Sequence, residues 1–306
     1  MTEFLILLGL LVVGLMALYY LAPGIPYLWL IALGRRTAGL RLHQVRVDGH
    51  DVPYLEGGHG EPLLLLHGFG ADKDNWTMVA RYLRRHCRVI APDLPGFGDA
   101  SRLEQASYGL DVQLERIAAF ADALGLESFH LGGNSMGGYL AAMFAKRHPE
   151  RVRSLWLLAP AGAMGAEPSE TLTLLEAGEN PLIPRDMAAF DKLAALCFET
   201  APAMPAQFKR PLLARFQRNA AFNEKIFAEL FTEPVALEGC IDGLATRTLL
   251  VWGDNDRVLH PSGAGILAEL LNDVSTVIMP RMGHIPMVER PRDSASDYLR
   301  FRGFRA

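Results

Sequence analysis

The chain has 306 residues, enough for one large core plus an insertion. Hydrophobic residues make up 50% of it, which is high for a purely soluble protein, and its net charge of −4 argues against nucleic acid as a partner. Its three cysteines, Cys87, Cys197 and Cys240, are too few and too widely spaced for a disulfide framework or a metal cage.

From Phe4 to Leu33 the chain has no Asp, Glu, Lys or Arg. A spanning helix needs about 20 apolar residues to cross a ~30 Å hydrocarbon core, and Phe4 to Ala22 comes close to that. Pro23-Gly24-Ile25-Pro26 then breaks the helix, and Tyr27 to Leu33 is too short to span. Tyr19, Tyr20, Tyr27 and Trp29 cluster at the break, as aromatic residues do at a membrane–water interface. The expectation is a single-pass, uncleaved anchor with a short interfacial helix over residues 1–36, held in the cell's inner (plasma) membrane. A cleaved leader would carry a basic start, whereas this chain begins Met1-Thr2-Glu3. Arg35, Arg36 and Arg41 follow the span, but three arginines beside one span leave the side of the membrane open. Gly9 and Gly14 are five apart, so they do not form a G-x-x-x-G face, and a homodimer through this helix is left open.

From about residue 40, strand-like and helix-like segments alternate. Leu40 to Val47 and Val52 to Leu55 flank a turn at Gly49/Asp51. Pro62-Leu63-Leu64-Leu65-Leu66 is continuously apolar, as a strand buried on both faces should be. Similar runs recur at Val89-Ile90-Ala91, Ser128 to Gly132, Ser154 to Leu158, Thr248 to Trp252 and Thr276 to Met279, with helical patterns such as Asp111 to Leu124 between them. This order predicts an α/β fold: a mostly parallel sheet with helices on both faces.

Gly133-Asn134-Ser135-Met136-Gly137 sits between a strand-like and a helix-like segment. A serine on such a turn is held strained and exposed, its hydroxyl off the top of the sheet, and small residues are required two positions either side. Ser135 is therefore the expected nucleophile. The rhythm of strands lapses between Ala163 and Gly243, where Leu212/Phe216 and Phe222/Ile226/Leu230 have helical spacing and Pro181, Pro184, Pro202, Pro205 and Pro211 separate short helices. An insertion there would lie over the carboxyl ends of the strands, where ligands bind. The expected domains are residues 37–162 and 244–306 as the core and 163–243 as a helical lid.

A serine nucleophile needs an adjacent histidine, itself oriented by a carboxylate, in the chain order serine, acid, histidine. Asp254 and Asp256 both follow the penultimate strand; Asp256 lies further into the loop and is the expected acid, with Asp254 a turn residue capping its own loop. His284 lies just past the last strand and is the expected base, with Gly283 allowing its loop close to the elbow. His130, His148 and His67 read as structural. The oxyanion needs two backbone N–H donors, expected from Met136 and, in the loop His67-Gly68-Phe69-Gly70, from Phe69. No H-E-x-x-H, paired Cys/His set or strand-following G-x-G-x-x-G is present, so neither a metal nor another cofactor is expected.

Taken jointly, the blocks Leu66 to Gly70, Ala91-Pro92-Asp93-Leu94-Pro95-Gly96-Phe97-Gly98, the elbow and Gly283 to Pro291 resemble the α/β-hydrolase superfamily. Gly68 to Trp76, with the N-terminal anchor, is similar to membrane-anchored monoacylglycerol lipases and bacterial membrane-bound phospholipases A. The resemblance implies an eight-stranded sheet and a long-chain carboxylic ester drawn from membrane lipids: a phospholipid or lysophospholipid first, a monoacylglycerol or general ester as the alternative, and a non-catalytic scaffold as the remote one. One departure is Asp99, where the family more often has a serine directly after Gly98.

Overall fold

Residues 1–304 other than Glu233 are described by the structure, a computed structural model. The apolar runs become β1 (Leu40–Val47), β2 (His50–Gly58), β3 (Glu61–Leu66), β4 (Cys87–Pro92), β5 (Phe129–Asn134), β6 (Val152–Leu158), β7 (Thr248–Gly253) and β8 (Val274–Met279). They form one sheet in the order β1-β2-β4-β3-β5-β6-β7-β8. The β1–β2 and β2–β4 pairs are antiparallel and the rest parallel. The first hairpin turns at Asp48-Gly49 rather than at Gly49/Asp51: both residues have positive φ, 47° and 76°, which suits the right-handed twist of the strands it joins.

Leu63 to Leu66 are fully buried, and their alternation explains why. Leu64 and Leu66 enter one core and Leu63 and Leu65 the other, because successive side chains leave a strand on opposite faces. The second core is closed by α3 (Thr77–Leu83), α10 (Pro286–Glu289) and α11 (Pro291–Phe301); the first by α4 (Leu110–Ala123), α5 (Met136–Arg147) and α9 (Gly263–Leu270).

At the N-terminus, α1 (Thr2–Leu21) is long and apolar enough to cross a membrane, and none of it is buried. After the break, α2 runs Gly24–Thr37, longer than the sequence suggested, because Pro26 falls in its first turn where a missing N–H costs nothing. The aromatic cluster divides. Tyr19 and Tyr27 turn inward onto Phe208, with ring centroids 5.7 and 6.3 Å away, while Tyr20 and Trp29 are exposed.

Between β6 and β7 lie α6 (Glu170–Glu176), α7 (Met187–Cys197) and α8 (Ala206–Phe231), with no strand among the described residues. Pro211 does not separate two helices, as its residue type predicts; it lies inside α8. Contacts on either side hold the helix across the missing hydrogen bond: Phe208 packs on Tyr19 and Tyr27, and Arg215 is ion-paired to Asp72. Phe222, Ile226 and Leu230 face the core as their spacing predicts.

Candidate active site

Four strand ends meet at one place. β5 ends at Asn134, and Ser135 follows with φ 56° and ψ −120°, a conformation an L-residue adopts only when its surroundings enforce it. Those surroundings are backbone. The Ser135 N–H donates to Leu158 O at 3.0 Å, and Ser135 O accepts from Tyr139 and Ala161 N–H at 2.9 and 3.1 Å. A Cβ on Gly133 would stand 2.1 Å from Gly137 O, and one on Gly137 would stand 2.2 Å from Leu66 O. The elbow glycines are therefore required by contact as well as by turn sharpness.

Across the site, β7 and β8 deliver a carboxylate and an imidazole. Asp256 Oδ2 lies 2.7 Å from His284 Nδ1, and both residues are 4% exposed. The other oxygen, Asp256 Oδ1, accepts from Val258 and Leu259 N–H at 2.8 and 2.9 Å, so the carboxylate cannot rotate away. An acceptor at Nδ1 fixes that nitrogen as the protonated one and leaves Nε2 with a free lone pair. Asp254 is a link between loops rather than a cap on its own: its Oδ1 accepts from Met282 N–H at 3.3 Å. Among the described residues the Ser135 hydroxyl makes no hydrogen bond to His284, a spacing common in unliganded sites of this kind.

The loop after β3 completes the arrangement. It closes as a turn, Ala71 N–H donating to Gly68 O at 3.2 Å, with Gly70 at φ 69°. A Cβ on Gly68 would stand 3.3 Å from Ser135 Cβ, which places the turn against the serine. Met136 opens α5, where the helix dipole adds positive potential. Among the described residues, no acceptor takes the amide of Phe69 or Met136. His67 is locked neutral: its Nδ1 lies 2.8 Å from Gly68 O while its Nε2 accepts from Leu94 N–H at 3.0 Å. Burial pushes its pKa down to about 4.

Two positioning side chains were not singled out from the sequence. Asn134 Nδ2 donates to both Leu158 O and His284 O at 3.0 Å, tying the elbow to the histidine loop. Glu289 accepts from the N–H groups of Gly283, Glu199 and Thr200, joining that loop to the end of the insertion. Gly283 is needed for the same junction: a Cβ there would meet Cys197 O at 2.5 Å, so its close approach is to the insertion rather than to the elbow. The signals were present, an amide inside the elbow and an acid after the histidine, but neither has a local pattern that names its partner. The three cysteines are free thiols.

Comparison with known proteins identifies the family of the fold. Residues 61–291 match the model of the family described as the alpha/beta hydrolase fold. A solved structure described as a membrane phospholipase A and bacterial virulence factor superposes with TM-score 0.90 at 46% identity, covering 99% of this chain and 98% of that one. Lipase 3 of Moraxella sp. (strain TA144) is 36% identical over 83% of this chain and 82% of its own length. Monoacylglycerol lipase ABHD6 of Homo sapiens is 30% identical over 87% of this chain and 83% of its own.

Proposed function

The chain belongs to the α/β-hydrolase family and is a lipolytic carboxylic-ester hydrolase, and we propose that it is a membrane-anchored phospholipase A working through Ser135, His284 and Asp256. The observation that carries the assignment is the buried 2.7 Å contact of Asp256 with His284, set beside a serine in an enforced left-handed conformation.

In this mechanism His284 Nε2 takes the Ser135 proton as Oγ attacks the ester carbonyl. Asp256 holds the imidazole tautomer and balances the imidazolium that forms. The oxyanion is met by the Phe69 and Met136 amides, each worth several kcal/mol of transition-state stabilisation in such a site. Collapse expels the lysolipid alcohol, protonated by His284, and leaves an acyl-serine. A water activated by the same histidine then releases the fatty acid.

The substrate class follows from the anchor. Long-chain lipids barely exist as monomers, so a single-pass enzyme held at the inner membrane meets them at high effective concentration. The insertion over residues 163–243 acts as the lid. Phe208, in the first turn of its longest helix, lies against Tyr19 and Tyr27 at the end of α1 and the start of α2, which supports a lid held close to the anchor. Monoacylglycerol is the second reading, favoured by the similarity to ABHD6.

The test is hydrolysis of a diacyl phospholipid, a lysophospholipid and a monoacylglycerol by detergent-solubilised full-length protein, with Ser135→Ala as control. Fatty acid and lysolipid from the diacyl substrate, absent in the variant, are expected. Turnover of single-chain lipids alone would move the assignment to the second reading. Activity retained in Ser135→Ala would overturn the mechanism.

A further inference from the structure

The oxyanion turn, Gly68 to Ala71, is clasped from outside the sheet by the insertion. Phe69, whose amide is the proposed donor, packs its ring edge-on against Phe227 and Phe231 of α8, with centroids 5.4 and 6.3 Å away. Gly70 faces Phe216 of the same helix. The next residue but one, Asp72, is seized by Arg215: Nη1 donates to Asp72 Oδ2 at 2.6 Å. The other oxygen, Oδ1, accepts from Asp74 N–H at 2.8 Å, and Asp74 is gripped by both Nε and Nη2 of Arg35 on α2 at 2.7 and 2.6 Å.

Behind this clamp lies a fully buried cation. Lys73 and Asp93 both have side chains 0% exposed, joined at 2.7 Å, and Lys73 Nζ also donates to Asp99 at 2.7 Å. Asp99 is the residue at which the chain departs from its family's usual serine, and it also receives Arg215 Nη2 at 3.4 Å. Burial disfavours the Lys73 charge, yet the two carboxylates override it and hold its pKa above the usual lysine value. Three cations and four carboxylates from the anchor, the lid and two core loops thus converge on the residues that follow the oxyanion turn.

We propose that Arg215 is a positioning residue that, through Asp72, holds the oxyanion turn in its catalytic geometry, so that the lid helix sets the strength of the oxyanion hole. This rests on the hydrolase mechanism above. A bidentate-capable guanidinium with fixed partners constrains direction as well as distance, which a point charge does not. A turn displaced by even 1 Å weakens a donor that acts only in the transition state. The loss therefore falls on kcat and not on KM.

The experiment uses detergent-solubilised full-length protein, a soluble p-nitrophenyl ester and a trifluoromethyl ketone that forms a tetrahedral adduct with the serine. Arg215→Gln is expected to lower kcat roughly tenfold to a hundredfold, below the loss from deleting a whole oxyanion donor, with KM within about twofold. The ketone should bind more weakly by the same factor. Arg215→Lys should recover only part of the loss, and Asp72→Asn, which keeps the shape of the carboxylate, should reproduce Arg215→Gln even if the latter folds poorly. Folded variants with unchanged kcat and unchanged ketone affinity would overturn the proposal. Wild-type protein that is itself inert to ester and ketone would refute the hydrolase mechanism instead, which keeps the two failures apart.

Discussion

The two sides of this site are held by different physics. On the sheet side, around Ser135, the constraints are backbone contacts at glycines, where a single added methyl would overlap a carbonyl oxygen. On the insertion side, around Asp72 and Arg215, they are side-chain charges and ring edges with some exposure, Arg215 being 25% exposed at its side chain. Close-packed backbone has no partial state, whereas an ion pair at a helix surface can be loosened and remade. The contrast teaches where rigidity is built and where adjustment remains: Ser135 is fixed by the core, and the turn Gly68 to Ala71 is shared between core and insertion.

The largest expected effect breaks the rigid side chemically. Asp256→Asn should leave the fold intact but allow the wrong imidazole tautomer, lowering kcat by about 10⁴. A fall below tenfold in ester turnover would remove Asp256 from the mechanism. The same side can be broken sterically. Gly137→Ala places a methyl about where Leu66 O and His67 O already lie, so it should fail to fold or lose more than about 4 kcal/mol in denaturant unfolding. Near-normal stability would mean that the elbow can relax.

Under the insertion side, Lys73→Met sharpens the comparison. It leaves Asp93 buried without its cation, and breaking such a pair costs about 3–5 kcal/mol. Urea unfolding measures this, and a cost under 1 kcal/mol would show that the clamp has no buried foundation.

The smallest effect is a gradient with pH. Burial pushes both His67 and His130 down to about 4 from an ordinary value of 6.5. A depressed folded pKa means the unfolded chain takes up the proton first. The stabilisation is complete above pH 6.5 and is lost as pH falls from 6.5 towards 4, at up to about 1.4 kcal/mol per pH unit for each histidine. Thermal unfolding between pH 7.5 and 4.5 should show this slope, and His130→Gln should reduce it. A flat profile would mean that these rings take up protons as readily in the folded protein as in the unfolded chain.

Much of the fold was legible because burial writes itself into local pattern. Leu63 to Leu66 could be nothing but a two-faced buried strand, and the glycines around Ser135 announced a turn too sharp for side chains. The order of elements placed Asp256 and His284 after the right strands. Other features were misread where context overrode type. Pro211 sits inside α8 because contacts on both sides hold the helix, and Tyr27 turned to protein because Phe208 was there to meet it.

The amino-acid sequence alone determined the eight strands, the elbow and the positions of Ser135, Asp256 and His284 at strand ends, since each depends on short-range periodicity, on φ at single residues, or on chain order along a sheet. Only the tertiary structure decided that Asn134 ties the elbow to His284, that Glu289 secures the histidine loop, and that Arg35 and Arg215 converge on Asp74 and Asp72. Those last two pairs are separated by 39 and 143 residues. No local pattern encodes such partners, because a charge records its own solvation but not the direction from which a distant helix will bring the opposite sign.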